Sequence, residues 1–250
     1  MARGPGEQTT GSLREIYRHI AGRTPPWTPL YLHHRALEAY VERTSIRALS
    51  ILGGPGLRIL DVGCGEMPYR RFLDQVDRET IYEGADIPGA SPRATVIVDP
   101  QTQSIAAAPG TYDLVISFQV LEHVSNPLAL LTECRRVLRP GGLLFMTLPF
   151  MFEYHAVPRD FRRWTHEGIA EDLVSAGYVD IVVEPIESDL QSLLVINQAY
   201  LARHLGHVAT KPLFLFLNMA ALIADRIKAD PGYRAVPLTL GVMARKPKDG

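Results

Sequence analysis

Leu60-Asp61-Val62-Gly63-Cys64-Gly65, an apolar run that ends in an acid and two glycines at alternate positions, is the stretch of this chain best suited to hold a ligand. Arg58-Ile59-Leu60 has the pattern of a short buried strand, and the glycines let the backbone turn tightly and approach a bound molecule. A second acid, Asp86, closes another apolar strand, Ile81-Tyr82-Glu83-Gly84-Ala85, and stands 21 residues beyond Gly65. In a βαβ unit that spacing carries a carboxylate to the ribose hydroxyls of a nucleotide-like ligand.

The missing features narrow the ligand. A dinucleotide fingerprint needs a third glycine three residues after the second, where this chain has Pro68. Glu66 falls where the following helix should begin, so a carboxylate sits at the helix end that would otherwise attract a pyrophosphate. Two acids and a glycine turn suit a ribosylated cofactor with an ammonium and a sulfonium and no phosphate, which describes S-adenosylmethionine.

Transfer of a methyl group from a sulfonium is accelerated mainly by alignment and desolvation, but a hydroxyl acceptor must also lose a proton to a base of near-neutral pKa. His123 and His155 are the candidates, each just beyond a strand, where open α/β sheets bind ligands. His155 opens the segment His155-x-x-Pro158-x-Asp160-Phe161-Arg162-Arg163-Trp164-Thr165, which packs an imidazole, a carboxylate and two guanidiniums into one loop. In one reading His155 is the base, Asp160 orients it, and Arg163, with Tyr154, contacts an anionic substrate. In the other, Asp160 and Arg163 pair to stiffen the loop.

The elements that must position these residues follow from periodicity and punctuation. A polar, Gly-rich tail over residues 1–10 is expected to be disordered, and Leu13 to Ile20 has helical patterning. After Thr24-Pro25-Pro26 a longer helix is expected from about Leu30 to Leu52, then Gly53-Gly54-Pro55-Gly56 breaks the chain before the first strand. Pro127 suits the first position of a helix capped by Asn126 or Ser125, with Leu128, Leu131, Cys134, Val137 and Leu138 on one face. Pro140-Gly141-Gly142 should stop that helix and turn into the next strand. Thr165 caps a further helix ending at Gly177; Val179–Val183 and Leu238–Ala244 are the last strands.

The motifs form an ordered series. Ile59 to Gly65 is followed by Gly84-Ala85-Asp86, Val96-Ile97-Val98-Asp99, Tyr112-Asp113-Leu114-Val115-Ile116-Ser117 and Val120-Leu121-Glu122-His123-Val124. Arg136-Val137-Leu138-Arg139-Pro140-Gly141-Gly142 and the strand Leu143 to Leu148 close it. From residue 58 to about 150 the chain resembles the class I S-adenosylmethionine-dependent methyltransferases, in particular the small-molecule group with a Val-Leu-Glu-His motif. The resemblance implies a Rossmann-like α/β fold, a seven-stranded methyltransferase sheet with helices on both faces, and S-adenosylhomocysteine as product. It also implies that Asp61 and the backbone around Gly63, Cys64 and Gly65 hold the methionine end, Asp86 the ribose, Ile87 and Asp99 the adenine, and Phe118 with Gln119 the far side. For Asp99 a second reading is open, a loop acid capping a turn. Arg35 reaches the methionine carboxylate in one reading and is an ordinary exposed helix arginine in another. The His155 loop is similar to one in many bacterial methyltransferases of this group. Some relatives bind a divalent metal through Glu-x-x-Glu-His. Here Gln119 replaces the first acid, so no metal is expected, with Glu122 and His123, joined in one reading by His155, the remnant of such a site.

With 250 residues, 46% hydrophobic, the chain can bury a full core as one domain with additions. The expected division is a tail and helical cap over 1–52, the cofactor-binding core over 53–183, a helical insertion over 184–237 and the last strand over 238–250. The formal charge of −1, with seven Arg against four Glu in residues 1–50, gives no basic arm for nucleic acid. Two cysteines, Cys64 and Cys134, permit no disulfide framework. With no signal peptide or 18-residue apolar span the expectation is a cytoplasmic protein without a transmembrane segment, a monomer or homodimer acting on a small-molecule acceptor. In the insertion, Leu213 to Ala224 is apolar almost all round, which suits a buried lid helix, a dimer interface or a peripheral membrane contact. From a different class, the alternative function is a noncatalytic S-adenosylmethionine-binding or membrane- or partner-associated module.

Overall fold

The computed structural model describes residues 24–53, 55–74, 79–156, 159–205, 207–227 and 234–249. The expected tail, the helical pattern over Leu13 to Ile20, and Pro158 lie outside the described residues. The first described helix, α1 (Tyr31–Leu52), has neither Gly nor Pro in 22 residues and buries Leu37, Val41, Ala48 and Leu49 at helical spacing. It ends at Gly53, whose φ of +64° lets its N–H reach the Leu49 carbonyl at 3.0 Å.

Seven strands form one sheet: β1 (Arg58–Val62), β2 (Ile81–Asp86), β3 (Ala94–Ile97), β4 (Tyr112–Phe118), β5 (Leu138–Pro149), β6 (Val179–Pro185) and β7 (Thr239–Arg245). Their order is β3-β2-β1-β4-β5-β7-β6, and the pairs from β3 through β5 are parallel. Parallel strands buried on both faces read as continuous apolar runs, and every residue of β4 is buried. Strand order reverses between β1 and β4, which opens a crevice at their carboxyl ends. The register pairs Val62 with Ala85 and Asp61 with Ile116, so the ends of β1, β2 and β4 lie side by side.

The helices between strands are α2 (Arg70–Asp74), α3 (Pro127–Val137) and α4 (His166–Ser175). Asn126 caps α3, its Oδ1 accepting from Ala129 N, and Thr165 caps α4 by accepting from Gly168 N. Two boundaries differ from expectation. The helix after the glycine turn starts at Arg70, not at Glu66, because Met67 adopts φ +56° and continues the turn, its N–H bonding to Cys64 O at 2.7 Å. β5 starts at Leu138, ahead of the Pro140-Gly141-Gly142 stop signal, since Leu138 already pairs with Tyr112.

The chain divides into two compact units. The sheet unit comprises Tyr40–Pro149, Phe161–Glu184 and Leu240–Gly250; the helical unit comprises residues through Ala39, Phe150–Asp160 and Pro185–Thr239. In the sheet unit, Tyr40 lies against the last strand so closely that a Cβ on Gly241 would meet its ring at 2.1 Å. The helical unit is built on α5 (Asp189–Leu205) and α6 (His207–Ile227), with a core of Leu30, Leu32, Phe152, Val195, Ala221 and Leu238. The apolar segment Leu213 to Ala224 of α6 is not buried all round: Phe216 is 68% and Ile223 58% exposed.

Candidate active site

The turn after β1 is held against β2 by its own backbone. Gly63 N and Cys64 N both donate to Ala85 O, at 2.8 and 3.2 Å. Gly63 has φ +75°, and a Cβ there would stand 2.4 Å from Val120 Cγ2, so only glycine fits. Gly84 serves the same end from β2, since a Cβ on it would strike Met67 Cε and Cys64 Sγ. Cys64 is buried as filler, and burial pushes its thiol up. The Gly65 Cβ position faces open space, which leaves room beside the turn.

The acids differ in environment. Asp61 is buried, and desolvation pushes its carboxyl up to about 7; the Tyr82 hydroxyl, donating to Oδ2 at 2.6 Å, opposes that rise, and the charge of Asp86 adds to it. Asp86 accepts from Gly65 N at 3.1 Å and from Ile87 N at 2.8 Å, so its carboxylate lies over the turn, beside a 37% exposed Ile87. Asp99 accepts from Gln101 N and Thr102 N, and these bonds hold its carboxyl below the usual range. Both amides belong to its own loop. Phe118 is buried edge-on to Tyr69 and Phe145, each at 4.9 Å. Gln119 takes φ +55°, with its N–H on Thr147 O and its Nε2 on Thr147 Oγ1.

His123 ends a short 3-10 turn, Leu121–His123, with Nε2 3.8 Å from Oε1 of the buried Glu122. Arg163, in the sheet unit, donates to the Arg162 carbonyl at 2.8 Å.

The part of the His155 loop through Asp160, and Arg35, belong to the helical unit. Asp160 Oδ2 accepts from the His155 backbone N–H at 2.9 Å and lies 3.5 Å from its Nδ1; Nδ1 is also 2.9 Å from Glu153 O. A carbonyl and a carboxylate around Nδ1 put the proton there and the basic lone pair on Nε2. Asp160 thus lies against His155 within the loop. Tyr154 is 70% exposed, and Arg35 is exposed on α1.

Sequence reasoning missed three contributors. Tyr82 was only a strand residue in the pattern, and Ser91, whose Oγ donates to Gly65 O, sits in an unremarkable loop. The third is a buried pair, His33 Nδ1 to Glu187 Oε1 at 2.7 Å, with Glu187 Oε2 accepting from Thr239 N. Its partners stand 154 residues apart, beyond any local signal. The His33 ring packs 5.0 Å from Phe152, which lies edge-on to His155 at 5.4 Å, so the pair supports the loop carrying the imidazole.

A family profile described as a methyltransferase domain matches residues 31–176. The ubiquinone biosynthesis O-methyltransferase of Cereibacter sphaeroides is 39% identical over 103 residues, covering 36% of this chain and 40% of that enzyme. This chain thus matches well under half the length of that relative. Among solved structures, phosphoethanolamine N-methyltransferase 2 of Haemonchus contortus, in complex with S-adenosyl-L-methionine, is similar with a TM-score of 0.53 at 16% identity, over 82% of this chain and 52% of that one. A SAM-dependent methyltransferase from Archaeoglobus fulgidus is similar with a TM-score of 0.51 at 15% identity, over 84% and 94% of the two chains. These likenesses agree in fold, the Rossmann-like methyltransferase sheet expected from the sequence.

Proposed function

This chain belongs to the methyltransferase domain family, and on that premise we propose that it transfers a methyl group from S-adenosylmethionine to a hydroxyl of a small-molecule acceptor. The observation that carries the proposal is the pair of acids at adjacent strand ends, Asp61 and Asp86, around a glycine turn with open space beside it. Those residues fit the cofactor chemically. A buried carboxyl with its pKa raised to about 7 is an acid short of a cation, which the amino group of a methionine moiety would supply. Asp86, already anchored by two backbone amides, has the reach to accept from ribose hydroxyls, and Ile87 offers an apolar face to an adenine.

In this reading Asp61 with the Gly63, Cys64 and Gly65 backbone holds the methionine end, Phe118 and Gln119 wall the far side, and Asp99 lies at the adenine edge. Arg35 is assigned to the methionine carboxylate. The bound cofactor supplies an electrophilic methyl on a sulfonium, so the chain's remaining tasks are to align the acceptor and remove its proton. His155 accepts that proton at Nε2 while Asp160 and the Glu153 carbonyl hold Nδ1–H. Tyr154 and Arg163 contact the acceptor, and His123 is the second candidate base. The O-methyltransferase named among the relatives supports oxygen as the acceptor atom. We further propose a cytoplasmic enzyme that works without a resident metal.

The test is transfer of labelled methyl from S-adenosylmethionine to a panel of phenols, catechols and hydroxylated aliphatics by wild type and by His155→Ala. Turnover by wild type, lost in a variant that still binds S-adenosylhomocysteine, supports the proposal. Cofactor binding without turnover of any acceptor favours the noncatalytic module.

A further inference from the structure

The position of Tyr82 follows from the register of the sheet. β1 and β2 are parallel, with Ile59 beside Tyr82 and Asp61 beside Gly84. Alternate residues share a face, so Tyr82 stands on the face of Asp61, two residues or roughly 6–7 Å nearer the amino ends of the strands. A phenol spans that gap, and its hydroxyl donates to Asp61 Oδ2 at 2.6 Å. Gly84, directly beside Asp61, has no side chain to offer, and among the described residues Tyr82 is the one side-chain donor to this carboxyl. An apolar residue would suit β2 as well and leave a buried acid without that donor. The bond comes from the side away from the crevice at the carboxyl ends, and it engages one oxygen of two.

We infer that Tyr82 is a positioning residue for cofactor capture, acting through Asp61: by holding Oδ2 it leaves Oδ1 to the ammonium of the methionine moiety. The inference rests on the cofactor reading of the Asp61 cradle and deepens it. Orientation is one part of the role, and charge is the other. Burial favours the neutral carboxyl, the Tyr82 hydroxyl favours the ionised one and the charge of Asp86 again favours the neutral one, a balance that leaves Asp61 at about 7. Without the hydroxyl both remaining influences hold the proton, so Asp61 stays neutral to higher pH and offers an ammonium no charge. The other groups around the pair do not replace it. Burial pushes the Cys64 thiol up, so it stays neutral, and β4 sets the apolar Ile116 beside Asp61. Arg70, the first residue of α2, has its guanidinium 5.5 Å from the centroid of the Tyr82 ring and so faces the phenol. Burial and the Asp61 charge hold that phenol well above its ordinary value, which keeps it a donor through the neutral range.

The experiment is calorimetric titration of the full chain, wild type and Tyr82→Phe, from about pH 6 to about pH 9. The substitution keeps the ring and removes the hydroxyl alone. Two ligands are compared: S-adenosylhomocysteine, and 5′-methylthioadenosine, a thioether nucleoside with neither ammonium nor carboxylate. Near neutral pH the variant is expected to lose about tenfold in affinity for S-adenosylhomocysteine, a loss that narrows as pH rises, while its affinity for 5′-methylthioadenosine stays within about twofold of wild type. A loss of the same size at every pH, or an equal loss for both ligands, makes Tyr82 a packing residue and overturns the inference. Wild type alone gives a second reading should the variant not fold. In buffers of different ionisation enthalpy, S-adenosylhomocysteine should release about half a proton at a pH of about 7, and 5′-methylthioadenosine none. No difference between the two ligands overturns the inference. Wild type that binds neither ligand contradicts the cofactor reading and the inference with it, whereas a variant that binds both ligands as wild type does contradicts the inference alone.

Discussion

In the sheet unit the apolar side chains of β4 are all buried and the carboxylates of Asp61, Asp86 and Asp99 collect at strand ends; in α6 of the helical unit Asn218 and Asp225 bond inward while Phe216 and Ile223 lie outward. The first arrangement is one water favours, because the core excludes it and the polar ends await a ligand. The second costs free energy in water, since each large apolar side chain left outside forgoes roughly 1–2 kcal/mol of burial. The contrast separates a region whose carboxylates gather at strand ends from one whose polar groups bond inward and leave apolar side chains outside. Substitutions in one region should leave the properties of the other unchanged.

The largest effect is expected where chemistry and binding separate. His155→Ala should lower kcat by about 10²- to 10⁴-fold, the usual share of a general base, while calorimetry shows unchanged affinity for S-adenosylhomocysteine. An equal loss of affinity would assign His155 to binding instead. In the turn, Gly63→Ala should destabilise the protein by about 2–4 kcal/mol, read from chemical denaturation, because the added methyl meets Val120 and the backbone has positive φ. In the hairpin, Asn218→Leu should cost about 1–3 kcal/mol, since it leaves Gln198 Nε2 and two carbonyls without their bonds; cofactor affinity should not move.

Asp61 offers a pH-resolved test. Its folded value of about 7 lies above the ordinary 3.8, so the folded chain retains a proton that the unfolded chain releases. The stability this contributes is fully present below pH 3.8 and is lost as pH rises to about 7. In thermal melts of the cofactor-free protein, Asp61→Asn should remove that decline. Because the ammonium of the cofactor prefers an ionised partner, affinity for S-adenosylhomocysteine should fall about tenfold per pH unit below 7 in wild type and much less in the variant. The smallest expected effect is that of chelation: Gln119 stands where a metal-binding Glu-x-x-Glu-His motif has its first acid, so EDTA should leave turnover unchanged within about twofold.

Much of this was legible in the chain because the informative signals are local. Asn126 and Thr165 cap helices where their types and positions say they should, and Gly63 sits where a side chain has no room. His155 and Asp160, five residues apart, could be paired from one loop. What stayed hidden depends on sequence-distant contacts. His33 with Glu187, and Asn218 with the carbonyls of Pro26 and Thr28, join segments more than 150 residues apart. The orientation of α6 was hidden for another reason: a helix apolar almost all round has no sequence-marked inner face, so Asn218 and Asp225, few among many apolar residues, decide it.

The central claim is that the acids at the ends of β1 and β2 form a cradle for S-adenosylmethionine. Calorimetric titration of wild type and Asp86→Ala with S-adenosylhomocysteine tests it most directly. The account predicts micromolar binding by wild type and at least about a tenfold loss in the variant, the usual cost of removing a charged hydrogen-bond acceptor. Equal binding by both proteins, or none by wild type, would contradict it.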